Sequence, residues 1–298
     1  MNISMLFKKL FISGDWEIAF RANSGDHLYQ VTFMRIPNTK QYWFADPLLF
    51  QTRDNTYLFC EAFDRKAQKG ELGYFEVKGN RVSDFKLILN PNYHMSFPNV
   101  FQLNGSYFML PESGENLCLE LYEAKSFPDK WVKIKNLIEG VNYVDPTLLF
   151  LDGEIFVFVY IDKQGHYETR IYKLNHEMLE LEYHSSFFYK ENIGRSAGQF
   201  FIGEDGNLKR PVQLGEGEYG KKTAFYDVNY TNGVFTETLN VTIENEKVVV
   251  NGRKGVDKIH TYSKVGNYES IDFVKYKFDL FKRIKILNRK RKLVKRHK

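Results

Sequence analysis

Acidic side chains in this sequence recur where apolar runs begin. Residues 43–50 read WFADPLLF and residues 143–150 read YVDPTLLF, so Asp46 and Asp145 each precede a proline and a solid hydrophobic stretch. Residues 96–101, SFPNVF, repeat the proline with Asn99 as the nearest polar neighbour. Two more carboxylates follow on the return strands, Glu61 after Cys60 and Glu112 in PES. Arg195 lies in GRSAGQ, Arg210 and Gln213 in KRPVQ, and Trp43, His94, Tyr219 and His260 complete the set. Carboxylates accept sugar hydroxyls, aromatic faces stack on sugar rings, and arginine pairs with phosphate. Glycosyl transfer asks for the same groups. One protonated carboxyl assists the departing oxygen while a second carboxylate activates the nucleophile. Crowding several in one place pushes their pKa values apart, which separates the two roles. Asp46, Asp145, Glu61 and Glu112 are therefore the candidate catalytic residues. Trp43, His94, Asn99, Arg195, Arg210, Gln213, Tyr219 and His260 are the candidate substrate-binding residues.

Each has a plainer reading. Asp-Pro at a strand start can be turn chemistry, with the aspartate capping the turn. Glu61 on an apolar strand would be costly alone, so it is either paired, by Arg195 or Arg210, or functional. Lone histidines such as His94 and His260 are more often structural. GEGEYGK (215–221) lacks the strand–loop–helix context of a phosphate loop and reads as a loop that brings Tyr219 and Gly220 near the other groups. No His, Asp or Glu spacing along the chain argues for a metal, and no cofactor is expected.

The elements that must position these residues follow from a repeat. The segments 45–61, 97–113, 144–160 and 197–213 each hold a marked start, a short apolar strand, a turn and a second strand. The turns RDN, LNG, LDG and EDG are hairpin signals, because Asn-Gly and Asp-Gly tolerate positive φ. The strand mouths lie at 47, 98, 146 and about 198, and a weaker fifth unit begins near 259. Further strand-like runs between them give about four strands per fifty residues, one blade of a β-propeller. Five blades fit the length, and DWEIAFR (15–21) is placed to complete the last one. The fold class expected is all-β, a five-bladed propeller over 1–277, with a basic tail at 278–298 read as helical. A β-sandwich is the alternative, but it would not require polar groups at the same point of each repeat. In a propeller the innermost strands line the centre, so their mouths converge. Proline is tolerated there, since the first residue of a strand need not donate to the ladder.

Composition agrees with strands: 26 Phe and 19 Tyr among 298 residues. Two cysteines, Cys60 and Cys118, exclude a disulfide framework and suit a reducing compartment. No run is long enough to span a bilayer, and MNISMLFKKLFISGDW is expected to be neither signal peptide nor anchor. The net charge of +5 is uneven. Residues 282–298 hold ten Lys/Arg and no acid, which leaves the other 281 at −5. With Leu280, Phe281, Ile284 and Leu287 at helical spacing, the tail suits an anionic membrane surface, or simply solvent. Nucleic acid is not expected, since the body has no basic–aromatic groove.

In combination, FADPLLF with YLFCEAFD, SFPNVF with YFMLPES, LYEAKSFPDKW, VDPTLLF, and GRSAGQFF with LKRPVQ and YG resemble a known domain. It is the five-bladed propeller at the N-terminus of glucosamine inositolphosphorylceramide transferases, also found in bacterial proteins encoded with cell-surface polysaccharide genes. The resemblance runs from about residue 40 to 275. More distantly, the chain is similar to glycoside hydrolase families 43 and 32, whose first-blade aspartate matches Asp46. It departs from family 43 in the second blade, FPN, and in the third, VDP where a Glu acid in an EGP-like context is expected. Hydrolase roles therefore carry over to Asp46 alone. Related five-bladed propellers include phosphorylases and mannosyltransferases, so transfer and hydrolysis both fit. The resemblance implies a glycosyltransferase of bacterial envelope or capsular glycan assembly, taking a sugar donor and a glycan acceptor. The chain is expected in the cytoplasm, peripheral on the inner face of the membrane. A glycoside hydrolase or a non-catalytic glycan-binding module is the rival.

Overall fold

A computed structural model describes residues 12–22, 29–163, 165–215 and 219–278. The basic tail expected at 278–298 lies outside the described residues beyond Phe278. Five antiparallel sheets follow one another around a ring. Blade one spans residues 42–89, blade two 96–139, blade three 144–189 and blade four 193–242. Blade five takes its two inner strands, Tyr262–Val265 and Tyr268–Val274, from the end of the chain. Its outer strands, Trp16–Ala22 and Met34–Ile36, come from the beginning, so DWEIAFR closes the ring as the repeat predicts. Hydroxyls of blade five fasten the joint to blade one: Ser270 Oγ donates to the Pro47 carbonyl at 2.6 Å, and Ser263 Oγ accepts from Leu49 N at 3.0 Å.

Why the strands read as solid apolar runs is visible at the joints between blades. Along Thr56–Asp64, Leu58, Cys60 and Ala62 pack toward blade five, while Tyr57 and Phe59 pack toward blade two. Successive side chains point to opposite faces, and both faces are covered by a neighbouring blade. Among the described residues, each of the five joints holds one buried apolar cluster. The LNG and LDG hairpins turn as their sequences imply, with positive φ at Asn104, Gly105, Asp152 and Gly153.

Candidate functional site

Blades one to four carry the same irregularity on their innermost strands, and it aims the candidate groups. Two residues oppose a single residue of the next strand: Asp46 and Pro47 against Cys60, Phe97 and Pro98 against Pro111, Asp145 and Pro146 against Val159, Gly194 and Arg195 against Gln213. These are β-bulges, which leave a residue unpaired and bend the strand. The first residue of each has positive φ: 48° at Asp46, 48° at Phe97, 46° at Asp145 and 98° at Gly194. Aspartate and glycine tolerate that region; a bulky Phe there is an outlier. The proline at the second position loses nothing, because a bulged residue has no ladder partner for an N–H. The fourth mouth is thus at Arg195 and not near Gly198 as the repeat had it. The spacing becomes 51, 48 and 49 for positions 47, 98, 146 and 195. Gly198 matters for a different reason. A Cβ there would overlap the Tyr262 carbonyl, so its bareness lets blade five close against blade four.

Two polar groups meet at the converging mouths. In the first, between blades one and five, Asp46 is buried; Thr261 Oγ1 donates to its Oδ1 at 2.9 Å and Phe97 N to its Oδ2 at 3.3 Å. His260 Nε2 is 3.6 Å from Asp46 Oδ1, and its Nδ1 is 2.5 Å from Oδ2 of the fully buried Asp272. Asp272 also accepts the backbone N–H groups of Asp46, His260 and Thr261 at 3.1, 3.1 and 2.8 Å. The His260 ring stacks on Trp16 at 3.9 Å. In the second group, Arg195 grips Asp145 with two nitrogens, Nε on Oδ2 and Nη2 on Oδ1, the latter at 3.0 Å. Its Nη2 also reaches Glu112 Oε2 at 3.3 Å, and the guanidinium lies 5.1 Å from the Tyr219 ring centre. Gln213 Nε2 donates to Asp145 Oδ2 at 3.0 Å, and Asp145 N to Glu112 Oε2 at 3.1 Å.

Four carboxyl groups here, Asp46, Asp272, Asp145 and Glu112, face one imidazole and one guanidinium, and a fifth, Glu61, lies close enough to feel their charge. They cannot all ionise without leaving buried charge uncompensated. Burial is the largest influence on Glu61, with Asp46 and Glu112 adding to it, and its carboxyl stays protonated well above the usual range. Glu112 is pushed well up by burial and then by Asp145, against the pull of Arg195. Asp46 is pushed up to about 6 by burial, with His260 pulling it down and Asp145 and Asp272 pushing it up. Burial opposes charge on His260, yet Asp272 and Asp46 outweigh it and raise the imidazole above its ordinary value. The arrangement supplies protonated carboxyls at Glu61 and Glu112 and a carboxylate near neutrality at Asp46.

Not every candidate joins in. Glu61 is paired by neither arginine; its Oε1 lacks a hydrogen-bond donor and lies 3.8 Å from His94 Nε2. His94 accepts from Gly70 N at 2.8 Å, and burial lowers its pKa. Trp43 stacks on Phe63 at 4.5 Å beside them. Asn99 is a tie between blades, donating to the Pro146 carbonyl at 3.2 Å. Arg210 corrects the expectation of ligand contact. It is wholly buried, with Nη1 on Glu237 Oε2 at 2.6 Å and Nη2 on Thr169 Oγ1 at 3.1 Å, so no ligand can touch it. Gln213 ends at the mouth on Asp145, whereas Arg210, three residues earlier, is enclosed in the joint by Thr169 and Phe158 of blade three and Glu237 of its own blade. Sequence reasoning missed Asp272, Thr261 and Trp16. The signal for Asp272 was a carboxylate between Ile271 and Phe273 on an otherwise apolar strand. Asp46, His260 and Asp272 offer one ligand atom each within 4.8 Å of one another, a donor set a divalent cation could take. Linear spacing concealed that triad, since it spans blades one and five.

Residues 31–270 match the family described as glucosamine inositolphosphorylceramide transferase 1, N-terminal. The glucosamine inositolphosphorylceramide transferase 1 of Oryza sativa subsp. indica is 29% identical over 229 residues, covering 72% of this chain and 30% of that protein. The Arabidopsis thaliana protein of the same name is 32% identical over 194 residues, covering 60% and 24%. The chain thus matches less than a third of the length of these curated relatives. Among solved structures, RS223-Beta-xylosidase superposes with a TM-score of 0.57 at 12% identity, covering 80% of this chain and 92% of that one. The family 117 glycoside hydrolase Zg3597 of Zobellia galactanivorans gives 0.55 at 11%, covering 91% and 92%. At such identities the likeness is one of fold. The match over 31–270 takes in four of the five carboxyl groups and both cations at the mouths, and the chain belongs to the glucosamine inositolphosphorylceramide transferase 1 N-terminal family.

Proposed function

We propose that this propeller is a glycosyltransferase of bacterial envelope or capsular polysaccharide assembly, acting in a carboxylate-lined central funnel. The observation that carries the reading is the meeting of Asp46 and Asp272 on His260 and of Glu112 and Asp145 on Arg195, with Glu61 close enough that burial and their charge hold it protonated. Its pKa order separates protonated carboxyls from a carboxylate that ionises near neutrality. Asp46 acts as base toward the acceptor hydroxyl, and Glu61 or Glu112 protonates the departing oxygen. Arg195, held by Asp145 and Glu112, faces the anionic portion of a sugar donor. Trp43 and Tyr219 offer aromatic faces to sugar rings. The transferase names of the relatives support transfer. The fold likeness to glycoside hydrolases favours hydrolysis as the second reading. The enzyme works in the cytoplasm, peripheral on the membrane.

A thermal-shift and turnover screen against nucleotide sugars, lipid-phosphate sugars and free glycosides tests this. Stabilisation by an activated donor, with turnover lost in Asp46→Asn, supports transfer. Release of free sugar from glycosides without a donor supports hydrolysis. Saccharide binding that Asp46→Asn leaves untouched, with no turnover by the parent, rejects both.

A further inference from the structure

The rim of blade five carries a second concentration of charge, of opposite sign to the mouths. A cavity of about 370 Å³ is lined by Arg35, Arg253, Lys275 and Lys277, with Glu17 as the one acidic lining residue. Arg35 and, at 3.9 Å, Lys277 lean on Glu17, and Lys275 Nζ donates to the Gly255 carbonyl at 2.5 Å. Four cations against one carboxylate leave a cradle that a phosphate diester would neutralise. Beside it the chain alternates Lys275, Tyr276, Lys277, Phe278, and both rings are exposed, Tyr276 by 40% and Phe278 by 58%. Amphipathic rings beside basic side chains are what the headgroup layer of a membrane accommodates.

The position of this rim gives it consequence. Trp16, whose ring stacks on His260, pairs with Val274, one residue before Lys275. The cavity and the converging mouths therefore share one end of the propeller. Lys277–Phe278 also pairs with Ile12–Ser13, so the first and last described residues of the chain meet at this edge. Residues 1–11 contain Lys8 and Lys9 and no acid, and 282–298 contain ten Lys/Arg and no acid.

We infer that this rim is a membrane-docking surface. Arg35, Arg253, Lys275 and Lys277 receive the phosphate of an anionic phospholipid, Tyr276 and Phe278 enter the headgroup layer, and the carboxylate mouths are held at the bilayer. The acceptor or donor reaching them is then membrane-borne. The inference extends the peripheral placement proposed above but assigns docking to the folded body and not to the tail alone.

The test is co-sedimentation of the full chain with vesicles of phosphatidylcholine alone or mixed with phosphatidylglycerol. Binding should require phosphatidylglycerol and weaken with salt. In the intact chain, Arg253→Glu with Lys277→Glu should lower the partition coefficient more than about 25-fold, and Tyr276→Ser with Phe278→Ser several-fold, at unchanged melting temperature. All four residues are surface-exposed, so the variants should fold. If these variants bind like the parent while a chain ending at 281 does not, the rim inference is overturned and tail docking stands. If the parent ignores phosphatidylglycerol, both fail, while the turnover screen still decides the chemistry. Competition by inorganic phosphate in place of vesicle binding also overturns it.

Discussion

Asp46→Asn removes a buried charge while keeping the side chain's shape, and the structure sets the size of the effect. The carboxyl is pushed up to about 6 in the fold against an ordinary value of 3.8. That shift of roughly two units corresponds to ~3 kcal/mol. Because the folded value is the higher one, the group's contribution is fully present below the unfolded value and is lost as pH rises through about 6. The asparagine variant has no such loss. A constant cost opposes this gain. Thr261 Oγ1 and Phe97 N each donate to a different oxygen of Asp46, and an amide has only one oxygen to offer them. The donor left facing the amide nitrogen costs about 1–3 kcal/mol at every pH. Urea unfolding of parent and variant at about pH 3.5 and 7.5 separates the two. The variant should be less stable at the low pH, and its deficit should shrink by ~3 kcal/mol, or roughly 5 °C in Tm, at the high one. A difference that stays constant within about 1 kcal/mol would refute the reasoning, because Asp46 would then not be the group that resists ionisation. Turnover, under the proposed role, should fall by roughly 10²–10⁴ in the same variant.

Asp272→Ala strips an acceptor from three backbone N–H groups and the partner from His260, so about 3–5 kcal/mol should be lost by urea unfolding. In a less disruptive Asp272→Asn, an NMR titration of His260 should move downward from its raised value, and the stability that the imidazolium supplies below pH 6.5 should shrink. Arg210→Ala leaves Glu237 buried without its cation and should cost about 3–5 kcal/mol, with ligand affinity per folded molecule unchanged. A selective loss of affinity at normal stability would return Arg210 to the site. Gly198→Ala drives a Cβ into the Tyr262 carbonyl at a φ of 140° and should destabilise by more than about 3 kcal/mol in thermal melts.

Much of the blade architecture was written in local pattern. Apolar runs of strand length, Asn-Gly and Asp-Gly turns and a repeat near fifty residues each depend on neighbours within a few positions. The fourth mouth was misplaced by three residues because Gly194-Arg195 has no proline to mark it, although it occupies the same bulge as Asp145-Pro146. Arg210 was misread for a related reason. A buried arginine and a ligand-facing one look alike on a strand until the partner, Glu237, is known to lie two strands away in the same blade.

By itself the sequence determined the strand alternation, the hairpins, the closing role of 15–21 and the placing of Asp46 and Asp145 before prolines. Those follow from side-chain period and backbone sterics, which act over a few residues. Only the tertiary structure decided which charges meet. Asp46 is joined to His260 and Asp272 from 214 and 226 positions away, and Asp145 to Arg195 from 50. Ring closure sets those distances, and the burial it produces moves the protons, because desolvation acts on the assembled cluster and not on any residue alone.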